Sequence, residues 1–341
     1  MPKNNALSAK AKAMYGRRLS AYDYEELLKR RNVSEIAMYL KNQTEYANVL
    51  KDVKENTIHR GQLEILLNRD RFNRRTKLQR YVTGKNVELH QTLIEKEEIE
   101  QLLSCIRALI SNDYGSFVSD LPLFMNPYMS FDLNKLLEVN SLKSLDSVLE
   151  KTIYHDVLSS HLLNENFDYA LCEHELNVFY YERLIRIIKR NYKGKTRNEL
   201  LTLFNHLIEL KNITKIYRMK KYFNNSIDEI KKSLLPCENT IKDQIYEQMY
   251  DAKDVDTVLK LLSESPYKIK TDDDDFIYIE KYISEVEYRI SKRYMNFALD
   301  PNVVCLAYYF IDDIEVENLI NIIEGVRYNI VPSKIEKLLV Y

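Results

Sequence analysis

Glycine and proline are scarce in this chain of 341 residues, which contains only 6 of the first and 7 of the second. Average usage would give roughly 24 glycines and roughly 17 prolines. Because strands need these residues at their tight turns, the shortage argues against strand-rich folds and predicts long helices joined by few corners.

Tryptophan is absent, whereas tyrosine occurs 26 times. A tyrosine has an apolar ring and a polar tip, so we expect most of them to pack between helices.

An excess of either charge is also missing, since 50 basic residues stand against 51 acidic ones and the net charge is −1. That balance gives the chain as a whole no long-range attraction to nucleic acid or anionic lipid. The four cysteines lie far apart and form no Cys-x-x-Cys pair. They predict free, buried thiols in a reducing compartment, and neither a zinc site nor a disulfide framework.

Long hydrophobic runs are missing as well. The longest strongly apolar run, residues 303–311, has about half the length that a membrane-spanning helix needs. The first residues lack the apolar stretch of a signal peptide. We therefore expect a soluble protein without a membrane span, whose contact with any membrane would be indirect.

What the chain does contain is a pattern that occurs three times. An apolar triplet with i, i+3, i+7 spacing, followed by a tyrosine, recurs about every 110 residues. The spacing places each triplet on one face of a helix. The three copies are Val33, Ile36, Leu40 and Tyr46; Leu142, Leu145, Leu149 and Tyr154; and Val255, Val258, Leu262 and Tyr267.

A second pattern follows the first at about the same period. In it, a glutamate precedes an amide side chain at i+3 and apolar residues at i+4 and i+7. Its copies are Glu98, Gln101, Leu102 and Cys105; Glu209, Asn212, Ile213 and Ile216; and Glu315, Asn318, Leu319 and Ile322. Two independent patterns with one period indicate three related helical units, each too long for a standard two-helix repeat.

These patterns predict an all-α protein with three successive helical units, residues 1–127, 128–236 and 237–341. The first boundary falls in a segment that contains Pro122 and Pro127, and Pro236 marks the second. No segment of the chain has the alternation of a convincing strand.

Catalytic chemistry has weak support. The run Asp272–Asp275 suggests the magnesium–diphosphate sites of all-helical prenyl-transferring enzymes, but the residue at i+4 is Phe276, so one helix face lacks the second carboxylate. Acids at a helix start also complement the helix dipole, which is the favoured interpretation. Cys172 and His174 are metal-ligand types, yet they point about 200° apart on a helix. A metal-dependent enzyme remains an alternative, while we predict no catalytic, cofactor or metal residue.

Two basic stretches are candidates for binding a partner. The first contains Phe72 and Tyr81 among its arginines, and an acidic protein partner or a solvated surface is the favoured interpretation over nucleic acid. An all-helical nucleic-acid-binding protein nevertheless stays open as an alternative. The candidate partner-binding residues are Arg69, Arg71, Arg74, Arg75 and Arg80, and the second stretch contains Lys211, Lys215, Arg218, Lys220 and Lys221.

Several segments match a known family in order and spacing over nearly the whole chain. They are Ala9–Met14 with Arg18 and Leu19, Tyr24–Leu28, Val33–Leu40, Asn177–Tyr181, Glu315–Leu319, Gly325, Tyr328, Pro332 and Ile335–Leu339. With these segments the chain resembles the C subunit of the bacterial and archaeal V/A-type rotary ATPases, whose eukaryotic relative is the d subunit. The second copy of the repeat lacks a counterpart of Gly325.

The resemblance implies three helical subdomains arranged as a funnel with pseudo-threefold symmetry. It implies a non-catalytic central-stalk subunit without a cofactor, peripheral to the membrane on its cytoplasmic side. Such a subunit is a socket that couples the rotating shaft, made of subunits D and F, to the membrane proteolipid (K/c) ring, so that ATP hydrolysis drives ion transport. The resemblance also implies that the choice between proton and sodium resides in the ring and its stator.

Overall fold

The computed structural model describes residues 3–54, 57–223, 225–271 and 278–341, with side chains from Ala6 onward. No strand occurs within these ranges, which confirms the all-α prediction. In chain order the α-helices are α1 (Lys3–Tyr15), α2 (Ala21–Leu28), α3 (Val33–Gln43), α4 (Ala47–Leu50), α5 (Arg60–Gln79), α6 (Asn86–Ser111), α7 (Tyr114–Asp120), α8 (Leu142–Leu149), α9 (His155–Leu162), α10 (Tyr169–Asn191), α11 (Gly194–Arg218), α12 (Ile227–Ser233), α13 (Asp243–Asp251), α14 (Val255–Glu264), α15 (Ile279–Phe297), α16 (Pro301–Arg327) and α17 (Pro332–Glu336).

The three apolar triplets begin three equivalent helices. α3, α8 and α14 each start at the first residue of a triplet. In each case the preceding residue caps the helix, because its side chain accepts a hydrogen bond from a backbone N–H in the first turn. These caps are Asn32, Ser141 and Asp254. The second and third residues of every triplet are fully buried, so the predicted helix face is confirmed.

Packing groups the chain into two compact units. The discontinuous unit consists of Met1–Thr83 together with Asn198–Tyr341, and the continuous unit consists of Gly84–Arg197. The division at residues 127 and 236 stays a prediction.

Two apolar cores lie within the described residues of the discontinuous unit. One is built by side chains of α2 to α5 together with α16 and α17. The other is built by side chains of α11 to α15. In the continuous unit, α6 packs against α7 and α10, while α9 packs against α8 and α10.

Gly325 lies where α17 comes closest to α16. A Cβ atom at this position would lie 2.5 Å from both Cγ1 and Cδ1 of Ile335. Ile335 is buried in the core that α16 shares with α2 to α5. Glycine therefore lets the side chain of Ile335 pack directly on the backbone of α16.

This contact predicts opposite effects for two glycine substitutions. Gly325→Ala should lower the free energy of unfolding by about 1–3 kcal/mol, because the added methyl group must displace Ile335. Gly61→Ala is the matched control in α5, where an added Cβ meets nothing within 4 Å. It should raise the free energy of unfolding by about 0.4–1 kcal/mol. Urea unfolding followed by circular dichroism measures both, and an unchanged midpoint for Gly325→Ala would contradict this packing.

Candidate functional site

The tyrosine of the first repeated pattern and the glutamate of the second meet in the structure. In each copy of this arrangement the tyrosine hydroxyl donates a hydrogen bond to the glutamate carboxylate, and all six side chains are at most 5 % exposed. We call the pairs the glutamate–tyrosine junctions. They are the 98–154 junction of Glu98 and Tyr154, the 209–267 junction of Glu209 and Tyr267 (2.5 Å), and the 315–46 junction of Glu315 and Tyr46 (2.9 Å).

Each of these glutamates also binds the main chain of a second segment. A buried carboxylate is costly unless donors surround it, and backbone N–H groups supply part of that need. The donors are the N–H of Leu19 for Glu315 (2.9 Å), the N–H groups of Thr240 (2.8 Å) and Ile241 (2.9 Å) for Glu209, and the N–H of Ser130 for Glu98. Every junction therefore ties a loop to a long helix.

A hydroxyl group two residues before each tyrosine shapes the chain leading into the junction. It donates to the carbonyl of the last residue of the apolar triplet and accepts from the N–H of the tyrosine. The hydroxyl groups belong to Thr44, Thr152 and Ser265. A Ser/Thr-x-Tyr signal is thus present in the sequence at the repeat period, although it is not among the patterns that predicted the three units.

The residue three positions before each glutamate differs among the junctions. In the continuous unit Glu95 binds Arg183 through two hydrogen bonds, of 2.9 and 3.1 Å. At the 209–267 junction Nδ1 of His206 lies 2.8 Å from the hydroxyl of Tyr267. At the 315–46 junction this position is Asp312. Since glutamate, histidine and aspartate occupy this position in the three copies, the sequence shows no recurring pattern there.

Arg74 of α5 joins the 315–46 junction to α16. Its Nη2 atom donates to the hydroxyl of Tyr46 at 2.9 Å, and its Nη1 atom lies 3.3 Å from the carboxylate of Glu315. Its Nε atom lies 3.2 Å from Asp312 and 3.3 Å from Asp70. One buried guanidinium thus faces three carboxylates, which leaves an excess of negative charge in the cluster.

Burial in this cluster makes one carboxyl group titrate near neutral pH. Burial raises the pKa of Asp312 to about 7, since Arg74 offsets the loss of water only in part and the charge of Glu315 raises it further. Burial also raises the pKa of Asp70. At the 98–154 junction burial raises the pKa of Glu98, although the bonds from Tyr154 and Ser130 oppose the change.

The arginines predicted to bind a partner fall into two groups. Arg71, Arg74 and Arg75 are paired inside the discontinuous unit: Arg71 and Arg75 both bind Asp313 of α16. The guanidinium of Arg75 also lies 5.5 Å from the centre of the Tyr309 ring. The other two, Arg69 and Arg80, are exposed. Contact of any of the five with a partner stays a prediction.

Side chains of the second basic stretch bind helix ends. Lys215 donates to the carbonyl of Ser233 at 2.9 Å, and Lys220 donates to the carbonyls of Tyr250 and Ala252 at 2.5 and 3.0 Å. These cations compensate carbonyls that a helix end or loop leaves without a backbone partner. The geometry therefore gives the nucleic-acid alternative no support.

Metal chemistry gains no support from the described residues. Among them, no group of three or more histidine, cysteine, aspartate or glutamate side chains is arranged to hold a metal ion. Asp272–Asp275 lies outside the described residues. The four cysteines are free, and all but Cys237 are buried. Burial raises the pKa of the Cys172 thiol to about 12, which disfavours the thiolate that metal binding requires.

None of the helices in the described ranges is both long enough and apolar enough to cross a bilayer. The protein is thus all-helical in its described ranges, and buried carboxylates join its helices to loops.

The family model of the ATP synthase (C/AC39) subunit matches residues 7–338, and the chain belongs to this family. It is accordingly a subunit of a V/A-type ATPase complex, in a family of accessory subunits, which confirms the resemblance drawn from the sequence. A search of curated proteins finds no match.

The buried Asp312 predicts a characteristic pH dependence of stability. Its pKa is about 7 in the folded protein, against about 4 in an unfolded chain. Between these values the folded protein holds a proton that the unfolded chain has released, so stability should fall as the pH rises through about 7. Asp312→Asn abolishes this titration. When the pH is raised from about 5 to about 8, the free energy of unfolding of Asp312→Asn should therefore increase relative to that of wild type by on the order of 1–4 kcal/mol.

Urea unfolding at the two pH values measures this difference. Asp52→Asn is the control, because the side chain of Asp52 is 89 % exposed, and its stability should follow that of wild type at both pH values. The same pH dependence in Asp312→Asn as in wild type would show that Asp312 does not titrate in this range.

Proposed function

We propose that this chain is a non-catalytic central-stalk subunit of a V/A-type rotary ATPase. In this role it is a socket that couples the rotating shaft, made of subunits D and F, to the membrane proteolipid ring on the cytoplasmic side of the membrane. ATP hydrolysis in the catalytic head then drives protons or sodium ions through the ring. The match of residues 7–338 to the ATP synthase (C/AC39) subunit family carries the proposal.

The use of the buried polar groups supports a mechanical role. A subunit that transmits torque must resist deformation, and close-packed interiors with satisfied polar networks are stiff. Glu98, Glu209 and Glu315 each join two segments of chain through several hydrogen bonds. Three junctions of similar composition are also what three related subdomains would contain. The funnel with pseudo-threefold symmetry stays part of this proposal.

Removal of the subunit tests the coupling role. Complexes prepared without it should still hydrolyse ATP in the catalytic head but should lose ATP-driven ion transport, because torque no longer reaches the ring. Inside-out membrane vesicles assayed separately for proton and sodium uptake measure this loss, and addition of the purified chain should restore uptake. Ion transport that persists in vesicles shown to lack the chain would exclude the coupling role.

The exposed arginines test the predicted partner surface. Arg69→Glu combined with Arg80→Glu should weaken retention in the complex on the order of tenfold, because the reversed charges repel an acidic partner. Reversal at Arg74 or Arg75 would be ambiguous, since these side chains hold α5 to α16.

Lys253→Glu combined with Lys260→Glu is the matched control, because both lysines are exposed and lie on another part of the chain. The fraction of each double variant that remains bound during purification of the complex is the measurement. Equal retention of the two double variants would refute the assignment of Arg69 and Arg80 and would leave the coupling role intact.

A further inference from the structure

The three glutamate–tyrosine junctions follow an order along the chain that the repeat alone does not reveal. At the 98–154 and 209–267 junctions, a glutamate meets the tyrosine of the following copy, 56 and 58 residues later. Glu315 belongs to the third copy. It meets Tyr46 of the first copy instead, 269 residues earlier. The last copy of the repeat therefore closes on the first.

The apolar core shows the same closure. Ile36 and Leu40 of the first triplet are fully buried, and they lie in one core with side chains from the C-terminal end of the chain. The C-terminal contribution comes from α16, α17 and the residues just after them. It consists of Val316, Leu319, Ile322, Ile323, Val326, Ile335 and Leu339. The N-terminal helices thus obtain one wall of their core from the opposite end of the sequence.

Polar contacts hold the chain end in place beside this core. The amide of Asn318 donates to the carbonyl of Val340 at 2.7 Å and accepts from its N–H at 2.9 Å. The ring of Tyr341 stacks on the ring of Tyr24 in α2, with 4.4 Å between their centres. Arg74 strengthens the same region through its contacts with Tyr46 and Glu315. Residues 340 and 341 are therefore bound to both α16 and α2.

We propose that α16 and α17 form a closing clasp, a conformational device on which the packing of α2 to α5 depends. The entropic cost of closing a flexible loop grows with its length. For a loop of 269 residues instead of 58, closure is roughly tenfold less favourable. The two short-range junctions can form from neighbouring segments, whereas the 315–46 junction requires the whole chain. The clasp makes the stability of the first copy conditional on the packing of α16 and α17.

A matched pair of substitutions in the full-length chain tests the clasp. In Glu315→Gln an amide N–H₂ group replaces one of the two carboxylate oxygens that accept from Leu19 and Tyr46, and Glu209→Gln makes the same change at the 209–267 junction. We expect Glu315→Gln to speed amide hydrogen exchange in α2 and α3 by at least about tenfold, because local opening there becomes easier. Exchange in α13 and α14 should stay unchanged. Glu209→Gln should instead speed exchange in α13 and α14 and leave it unchanged in α2 and α3. Mass spectrometry of peptides from each helix measures the exchange in both variants.

Tyr46→Phe and Tyr267→Phe form a milder second pair, which removes a hydroxyl group and keeps the ring. Tyr46→Phe should speed exchange at the C-terminal end of α16 and in α17, far away in sequence, whereas Tyr267→Phe should not. The proposal is overturned if Glu315→Gln disturbs only α16 and Tyr46→Phe disturbs only the segment around Tyr46 and α4. If Glu315→Gln unfolds the entire chain, Tyr46→Phe is the test: the proposal is then overturned if exchange at the C-terminal end of α16 and in α17 is unchanged.

Discussion

A carboxylate can be buried among helices only where hydrogen-bond donors replace the water that it loses. This condition governs the architecture at three places. Around Glu209 the donors are two backbone N–H groups and the hydroxyls of Tyr246 and Tyr267. The donors around Glu98 and Glu315 likewise come from other segments of the chain. Each carboxylate must therefore draw in a loop and a tyrosine from another segment, and this need connects the long helices to the shorter ones.

α16 illustrates how this requirement shapes a whole element. The helix packs against α1, α3, α5 and α15, so most of its circumference is buried. Its polar residues Asp312, Glu315 and Asn318 are buried too, and each meets a partner from another segment. Gly325 then allows α17 to approach closely. An element with so many directional contacts has few alternative positions, which is the property that the proposed coupling role requires.

Several positive charges in the two basic stretches bind groups of the protein itself. Arg71, Arg74 and Arg75 neutralise carboxylates of α16, and Lys215 and Lys220 bind backbone carbonyls. A dense run of basic residues in a sequence therefore need not form a basic surface. Partner contacts of the assembled ATPase are better sought among residues whose charge is presented to solvent.

The sequence by itself determined the helical class, the triplet faces and the period, because these depend on local spacing and on capping residues beside each helix. It also located Glu315 and Tyr46 as members of recurring patterns. Tertiary structure alone decided that Glu315 meets Tyr46, since a repeat does not state whether each copy closes on itself or on its neighbour. It also decided that Arg74 lies inside the protein. These outcomes depend on how segments 269 and 241 residues apart come together, and that path is set by the packing of the whole chain.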